Sequence, residues 1–251
     1  MIPFESRGAG PGVTFLHGFA LDGRMWRAQV AALEATHRTL TLDLPGFGPC
    51  GAAAAGAHCP AEALREVLDG AAIERTHLVG HSFGGAVAVD FALAYPGRVL
   101  SLTLVDALLL GRSAGIGAWA RCVELSRQGL YDEARRAWTE DPLFASARAN
   151  AEAASALEAM ARDYACGHWA GKVTSRWLSE DPASRLGEIR VRATVIDGEI
   201  DTPSFRAMAA EYAERLSSAH RVTLPGVGHM GNLESPGVFH EAMRRAIGAI
   251  A

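Results

Sequence analysis

The chain has 251 residues, 49% of them hydrophobic and 21% charged, with 24 basic against 28 acidic side chains and a formal net charge of −4. This is an ordinary globular composition with room for a sizeable core, and no basic block offers nucleic acid a phosphate-binding face. The opening "MIPFESRGAG" has no apolar signal core and nowhere do eighteen apolar residues run together, so no membrane partner is expected and a cytoplasmic location is.

Taken in order, "VTFLH" (13–17) reads as a strand and "GRMWRAQVAALEA" (23–35) as a helix, with Trp26, Val30 and Leu33 at helical spacing. "RTLTLD" (38–43) is a second strand, stopped by the Pro-Gly turn of "LPGFG". The Ala/Gly-rich "CGAAAAGAHC" (50–59) is expected to be a mobile loop, followed by a helix that starts near Pro60. "THLVGH" runs as a strand into Ser82, "FGGAVAVDFALAY" is a helix closed by Pro96, and "RVLSLTLVD" (98–106) is the next strand. From about Gly111 to Arg185 the pattern changes to helix only: "GAWARCVELSRQG", "YDEARRAWTE", "RANAEAASALEAMARDYA" and "HWAGKVTSRWLSE". Alternation resumes with "RVRATVID", a helix at "FRAMAAEYAERL", the strand "HRVTLP" and a last helix after Pro236.

Continuous apolar strands separated by helices predict an α/β fold: a doubly wound, mostly parallel sheet buried on both faces. Residues 1–110 and 186–251 would form its core, and 111–185 an inserted helical segment. Cys50, Cys59, Cys122 and Cys166 show no C-x-x-C spacing and read as reduced thiols. Lys172, the one lysine, is a poor setting for a pyridoxal Schiff base, and no cofactor or metal is expected.

Chemistry concentrates at "GHSFGG" (80–85). A serine at a strand-to-helix turn with glycines two before and two after is the nucleophile-elbow pattern. The turn brings strand end and helix start nearly into contact, and Gly80, Gly84 and Gly85 remove the side chains that would collide. Ser82 needs a base held by an acid. Of the histidines after it, His168 falls in the insertion, His220 starts a strand and His240 lies in the last helix. His229, in the Gly-rich "LPGVGHMGNLESP", sits in a loop after a strand, where a parallel sheet places its site. For the acid, "VIDGEIDTP" offers Asp197, Glu199 and Asp201. Asp201 lies past the Gly198 turn, free to reach His229, and Asp106, ending an earlier strand, competes. An oxyanion hole needs two backbone N–H groups: one from Phe83, after the serine, and one from Phe19 in "LHGFALDGRMW". His17 is a loop-shaping residue in this reading.

HGF at 17–19, DLPGFG at 43–48, GHSFGG at 80–85, GEID at 198–201 and GHMGNLESP at 228–236 together resemble the α/β-hydrolase superfamily over nearly the whole chain. The resemblance implies a triad of Ser82, Asp201 and His229, oxyanion donors at Phe19 and Phe83, and a cap formed by the insertion. "LDGRMWRAQVAAL" and the GHM loop are most similar to small bacterial carboxylesterases and 3-oxoadipate enol-lactonase-type proteins. Only about a dozen residues precede "VTFLHG", so the usual first strand pair is expected to be short or missing. Ser82 argues against epoxide hydrolases and haloalkane dehalogenases, whose nucleophile is aspartate. HGFAL differs from the HGGPG of prolyl iminopeptidases. Met230 stands where carbon–carbon bond hydrolases carry Trp. The expectation is a serine hydrolase of a small ester or lactone, its pocket near Leu108, Trp119, Trp169 and Met230. A C–C hydrolase, a cofactor-free perhydrolase and a slow ligand receptor stay open, as does the oligomeric state.

Overall fold

The central strands, rich in Val, Leu, Ile and Thr, are wetted on neither face, and helices close over both. This computed structural model describes residues 2–48, 51 and 54–248. The chain runs through β1 (Phe4–Arg7), β2 (Gly12–Leu16), α1 (Arg27–Leu33), β3 (Arg38–Leu42), β4 (Gly56–His58), α2 (Pro60–Gly70), β5 (Thr76–His81), α3 (Phe83–Ala94) and β6 (Val99–Val105). Then come α4 (Trp119–Arg127), α5 (Tyr131–Thr139), α6 (Ala145–Ala149), α7 (Ala151–Asp163) and β7 (Val173–Ser175). The chain closes with β8 (Ala193–Gly198), α8 (Pro203–Arg215), β9 (Ala219–Leu224), α9 (Gly231–Glu234) and α10 (Pro236–Ile247).

Seven strands form one sheet in the order β1-β3-β2-β5-β6-β8-β9. All pairs are parallel except β1 with β3. β2 and β8 are buried at every position, whereas the edge strands β1 and β9 are largely wet. The first strand is indeed short: four residues that cover the β3 edge by antiparallel pairing, Phe4 opposite Leu42. Helix α3 is apolar all round except for Asp90 and is buried from Phe83 through Ala92, as a helix wedged against the middle of a sheet must be.

Between β6 and β8 the structure follows the expected helices except at "HWAGKVTSRWLSE". There Gly171 takes a positive φ of 72° and ends the turn before it. Val173 and Thr174 are β-branched and favour extended backbone. They pair in parallel with Gly56–His58, so part of the Ala/Gly-rich loop is a strand, with the Gly56 N–H donating to Lys172 O at 2.8 Å. Pro49, Cys50, Ala52 and Ala53 of that region lie outside the described residues. The returning chain is anchored by Asp90, fully buried in α3, whose carboxylate accepts the N–H groups of Leu178 and Ser179 at 3.0 and 2.9 Å. Cys59, Cys122 and Cys166 are free thiols. No helix among the described residues is long and apolar enough to cross a membrane.

The elbow glycines are sterically obligatory. A Cβ on Gly84 would stand 2.5 Å from the Leu16 carbonyl oxygen, and one on Gly80 2.4 Å from that of Gly84. Both neighbours are backbone of central elements and cannot swing away. Gly84→Ala should therefore carry an overpacking cost of about 1–3 kcal/mol, lowering the melting temperature by roughly 3–10 °C in a chain of this size. Gly97→Ala, with nothing within 4 Å of the added atom, should move it by under about 2 °C. Scanning calorimetry of the two variants checks the contrast, and equal shifts would contradict it.

Candidate active site

Ser82 sits between the last residue of β5 and the first of α3, with φ 49° and ψ −115°. A non-glycine residue at positive φ is strained, and such strain persists only when its surroundings fix it. Here the Ser82 N–H donates to Val105 O at 2.9 Å, and its carbonyl accepts from the Leu108 N–H at 3.0 Å. The turn lifts the side chain above the carboxyl ends of the parallel strands.

His229 reaches the same place from the loop after β9. Its Nδ1 lies 2.8 Å from an Asp201 carboxylate oxygen, and both groups are buried. The loops carrying the pair interlock through backbone: Ile200 N–H donates to Val227 O and Glu199 N–H to Leu224 O. A Cβ on Gly198 would lie 2.2 Å from the Gly228 carbonyl oxygen, so this approach admits only glycine. The ring of Phe205, from α8, lies 4.3 Å from the imidazole, centre to centre, and shields it from water.

Asp106, the competing acid, is part of the same cluster. One of its carboxylate oxygens, one of Asp201's and a ring nitrogen of His229 lie within 4.8 Å of one another. Two carboxylates so close would repel by about 3 kcal/mol or more at an effective dielectric of about 20. Burial, together with the Asp201 charge, pushes the Asp106 carboxyl well above the ordinary carboxylate range. Burial also works to raise Asp201, but the adjacent His229 and the Thr202 N–H outweigh it and leave its carboxyl below the ordinary value. Burial and its neighbour thus push Asp106 toward the neutral form, while His229 and the Thr202 N–H hold Asp201 toward the anion. Asp106 accepts the Gly198 N–H at 2.9 Å, and Asp201 accepts the Thr202 N–H at 2.6 Å. With both carboxyls tied to backbone amides and Asp106 pushed toward its neutral form, the trio is a poor cation site, although it is the one such cluster among the described residues.

Two residues that the sequence reading did not use hold His229 in place. His81 Nε2 lies 2.8 Å from the His229 carbonyl oxygen, and burial lowers His81 to about 3, so it is a neutral donor there. Glu234 accepts the Gly228 and Met230 N–H groups at 2.8 and 3.0 Å, bracketing His229, and also bonds the Ser146 hydroxyl of α6. The Glu four residues after Met230 at the start of a short helix was the available signal. His17 shapes loops as expected: its Nδ1 lies 2.8 Å from Gly18 O, and its Nε2 accepts the Leu44 N–H at 2.8 Å. His168 lies flat against Phe47, 4.4 Å between ring centres, away from Ser82's base position.

Ser82 and His229 open onto one cavity of about 440 Å³, within the range of small-molecule sites. Phe19, Phe83, Leu108 and Trp119 line it, the last 41% exposed and so at its rim. Phe83 is the first residue of α3, where helix N–H groups have no intrahelical acceptor. Trp169 and Met230 are buried and are not among the lining residues. Trp169 packs instead with Tyr164, Trp138 and Phe19, at 4.9, 5.5 and 5.8 Å between ring centres. The Phe19 ring thereby ties the loop after β2 to the inserted helices.

Comparison with known proteins agrees with this architecture. The family model described as "Alpha/beta hydrolase family" matches residues 15–242. A protein of Azorhizobium caulinodans, provisionally named as the carbamate hydrolase RutD, is 30% identical across 98% of this chain and 95% of its own. The pimeloyl-[acyl-carrier protein] methyl ester esterase of Aeromonas hydrophila is 26% identical across 98% and 99%. The crystal structure of a hydrolase from Pseudomonas aeruginosa superposes with a TM-score of 0.79 at 25% identity, covering 98% of this chain and 94% of that one. With the family model spanning most of the chain and the sheet order, elbow and loop positions as described, this protein belongs to the alpha/beta hydrolase family.

Proposed function

We propose that this hydrolase cleaves a small carboxylic ester or lactone through a covalent acyl-serine. One observation carries the reading: a strained serine and a histidine held 2.8 Å from a buried carboxylate open onto the same apolar cavity. In the proposed reaction His229 Nε2 takes the Ser82 hydroxyl proton as Oγ attacks the ester carbonyl. The Phe19 and Phe83 N–H groups hold the oxyanion. The C–O bond then breaks and the alkoxide takes the proton from His229, or stays tethered if the substrate is a lactone. Water attacks the acyl-serine, giving its proton to His229, and Ser82 leaves with that proton as the acid is released. Asp201 keeps the Nδ1–H tautomer and stabilises the imidazolium between steps. Residues 111–185 act as a cap, supplying the rim and one wall of the cavity. Relatives named for a carbamate and for a methyl ester support acyl transfer from a heteroatom leaving group.

Ser82→Ala should abolish labelling by a fluorophosphonate probe and cut p-nitrophenyl butyrate turnover by on the order of 10⁶, with the fold retained by circular dichroism. Persistent labelling would remove Ser82 as nucleophile.

Asp201→Asn should lower kcat by roughly 10³ to 10⁴, because the imidazole loses its anion and tautomer. Asp106→Asn should stay within about tenfold of the parent, since an amide can accept from Gly198 and donate to Asp201 as the neutral acid does. The reverse ranking would transfer the acid's role to Asp106.

Stability separates the two carboxyls as well. Asp106 has a raised folded-state pKa, so its contribution is full below the ordinary value of 3.8 and is lost as pH rises toward the folded value. Asp106→Asn removes that loss. Its melting temperature relative to the parent should climb from pH 4 to pH 8, and a flat or falling difference would show that Asp106 ionises normally.

A further inference from the structure

The cavity above Ser82 has sixteen lining residues, and none carries a carboxylate, ammonium or guanidinium group. Phe19, Phe83, Trp119, Trp138, Phe144 and Phe205 supply its aromatic surface. Apart from Ser82, His81 and His229, its polar side-chain groups are the Ser113 hydroxyl and the indole N–H groups of Trp119 and Trp138, none of them charged. The nearby arginine on the same loop, Arg112, is committed: its guanidinium bonds both Glu211 carboxylate oxygens, at 2.8 and 2.6 Å. The formal charge closest behind His229 is the Asp201 anion. A substrate carboxylate entering this space would lose its water, find no Lys or Arg in the wall, and face the Asp201 carboxylate across the His229 ring.

From this we infer that the substrate is an uncharged ester or lactone with an apolar acyl group, and that the site rejects acyl chains bearing a free carboxylate near the scissile bond. The inference rests on the serine hydrolase reading above. It separates this chain from lactonases acting on adipate-type substrates, which the motif resemblance alone would suggest, because the carboxylate of a dicarboxylic acid derivative has no cationic partner in this wall.

The test is a matched pair of equal reach, methyl butyrate and monomethyl succinate, assayed by pH-stat at pH 7.5 alongside fluorophosphonate labelling of Ser82. The expected kcat/KM ratio is about 10³ in favour of methyl butyrate, the scale of an unpaired buried carboxylate. Ile116→Arg, which puts a guanidinium in the wall, should shrink that ratio at least tenfold. A parent ratio below ten, or an unchanged ratio in a folded Ile116→Arg variant, overturns the inference while leaving the hydrolase reading intact. Neither ester turned over and no labelling of Ser82 would remove the hydrolase reading, and the inference with it.

Discussion

The site depends on one close approach, that of the β8–α8 loop to the loop after β9. Gly198 meets the Gly228 carbonyl with no room for a Cβ, and two backbone hydrogen bonds, from Glu199 and Ile200, lock the contact. These are main-chain interactions anchored at the ends of two adjacent parallel strands, β8 and β9. They bring Asp201 and His229 together at 2.8 Å from positions 28 residues apart. His81 from the elbow side and Glu234 from the helix side then fix the His229 backbone. Because Glu234 also bonds Ser146, the inserted helices are coupled to the histidine's position as well as to the cavity wall.

Burial sets the charge state of this region. His81, His17 and His168 are all pulled below the ordinary imidazole value, chiefly by desolvation. Asp106 is pushed well above the ordinary carboxylate range, first by the same burial. Asp201 is the carboxylate in direct contact with the imidazole. In a dry setting that one charge is worth more to an adjacent imidazolium than it would be in water.

Much of this was legible in the sequence because it is encoded locally. The glycines around Ser82, the strand before it and the helix after it specify the elbow by sterics alone. The loop position of His229 after the last strand and of Asp201 after the Gly198 turn follows from the alternation of elements. What escaped depends on contacts distant in sequence. Val173–Ser175 read as helix because its neighbours do, and only pairing with Gly56–His58 makes it a strand. Trp169 and Met230 are as apolar as Trp119, and nothing in their local sequence says that they point into packing rather than into the cavity. Asp106 and Asp201 are both acids beyond strand ends, and the opposite directions in which their carboxyls are shifted come from burial on one and the His229 contact on the other, which no local pattern records.

The central claim is that His229 carries a proton on Nδ1 toward an ionised Asp201, with Asp106 neutral beside them. Proton NMR of the downfield imidazole N–H resonances tests it most directly. A slowly exchanging downfield Nδ1–H signal should be present in the parent and in Ser82→Ala, persist in Asp106→Asn and vanish in folded Asp201→Asn. A signal that survives Asp201→Asn and disappears in Asp106→Asn would contradict the account.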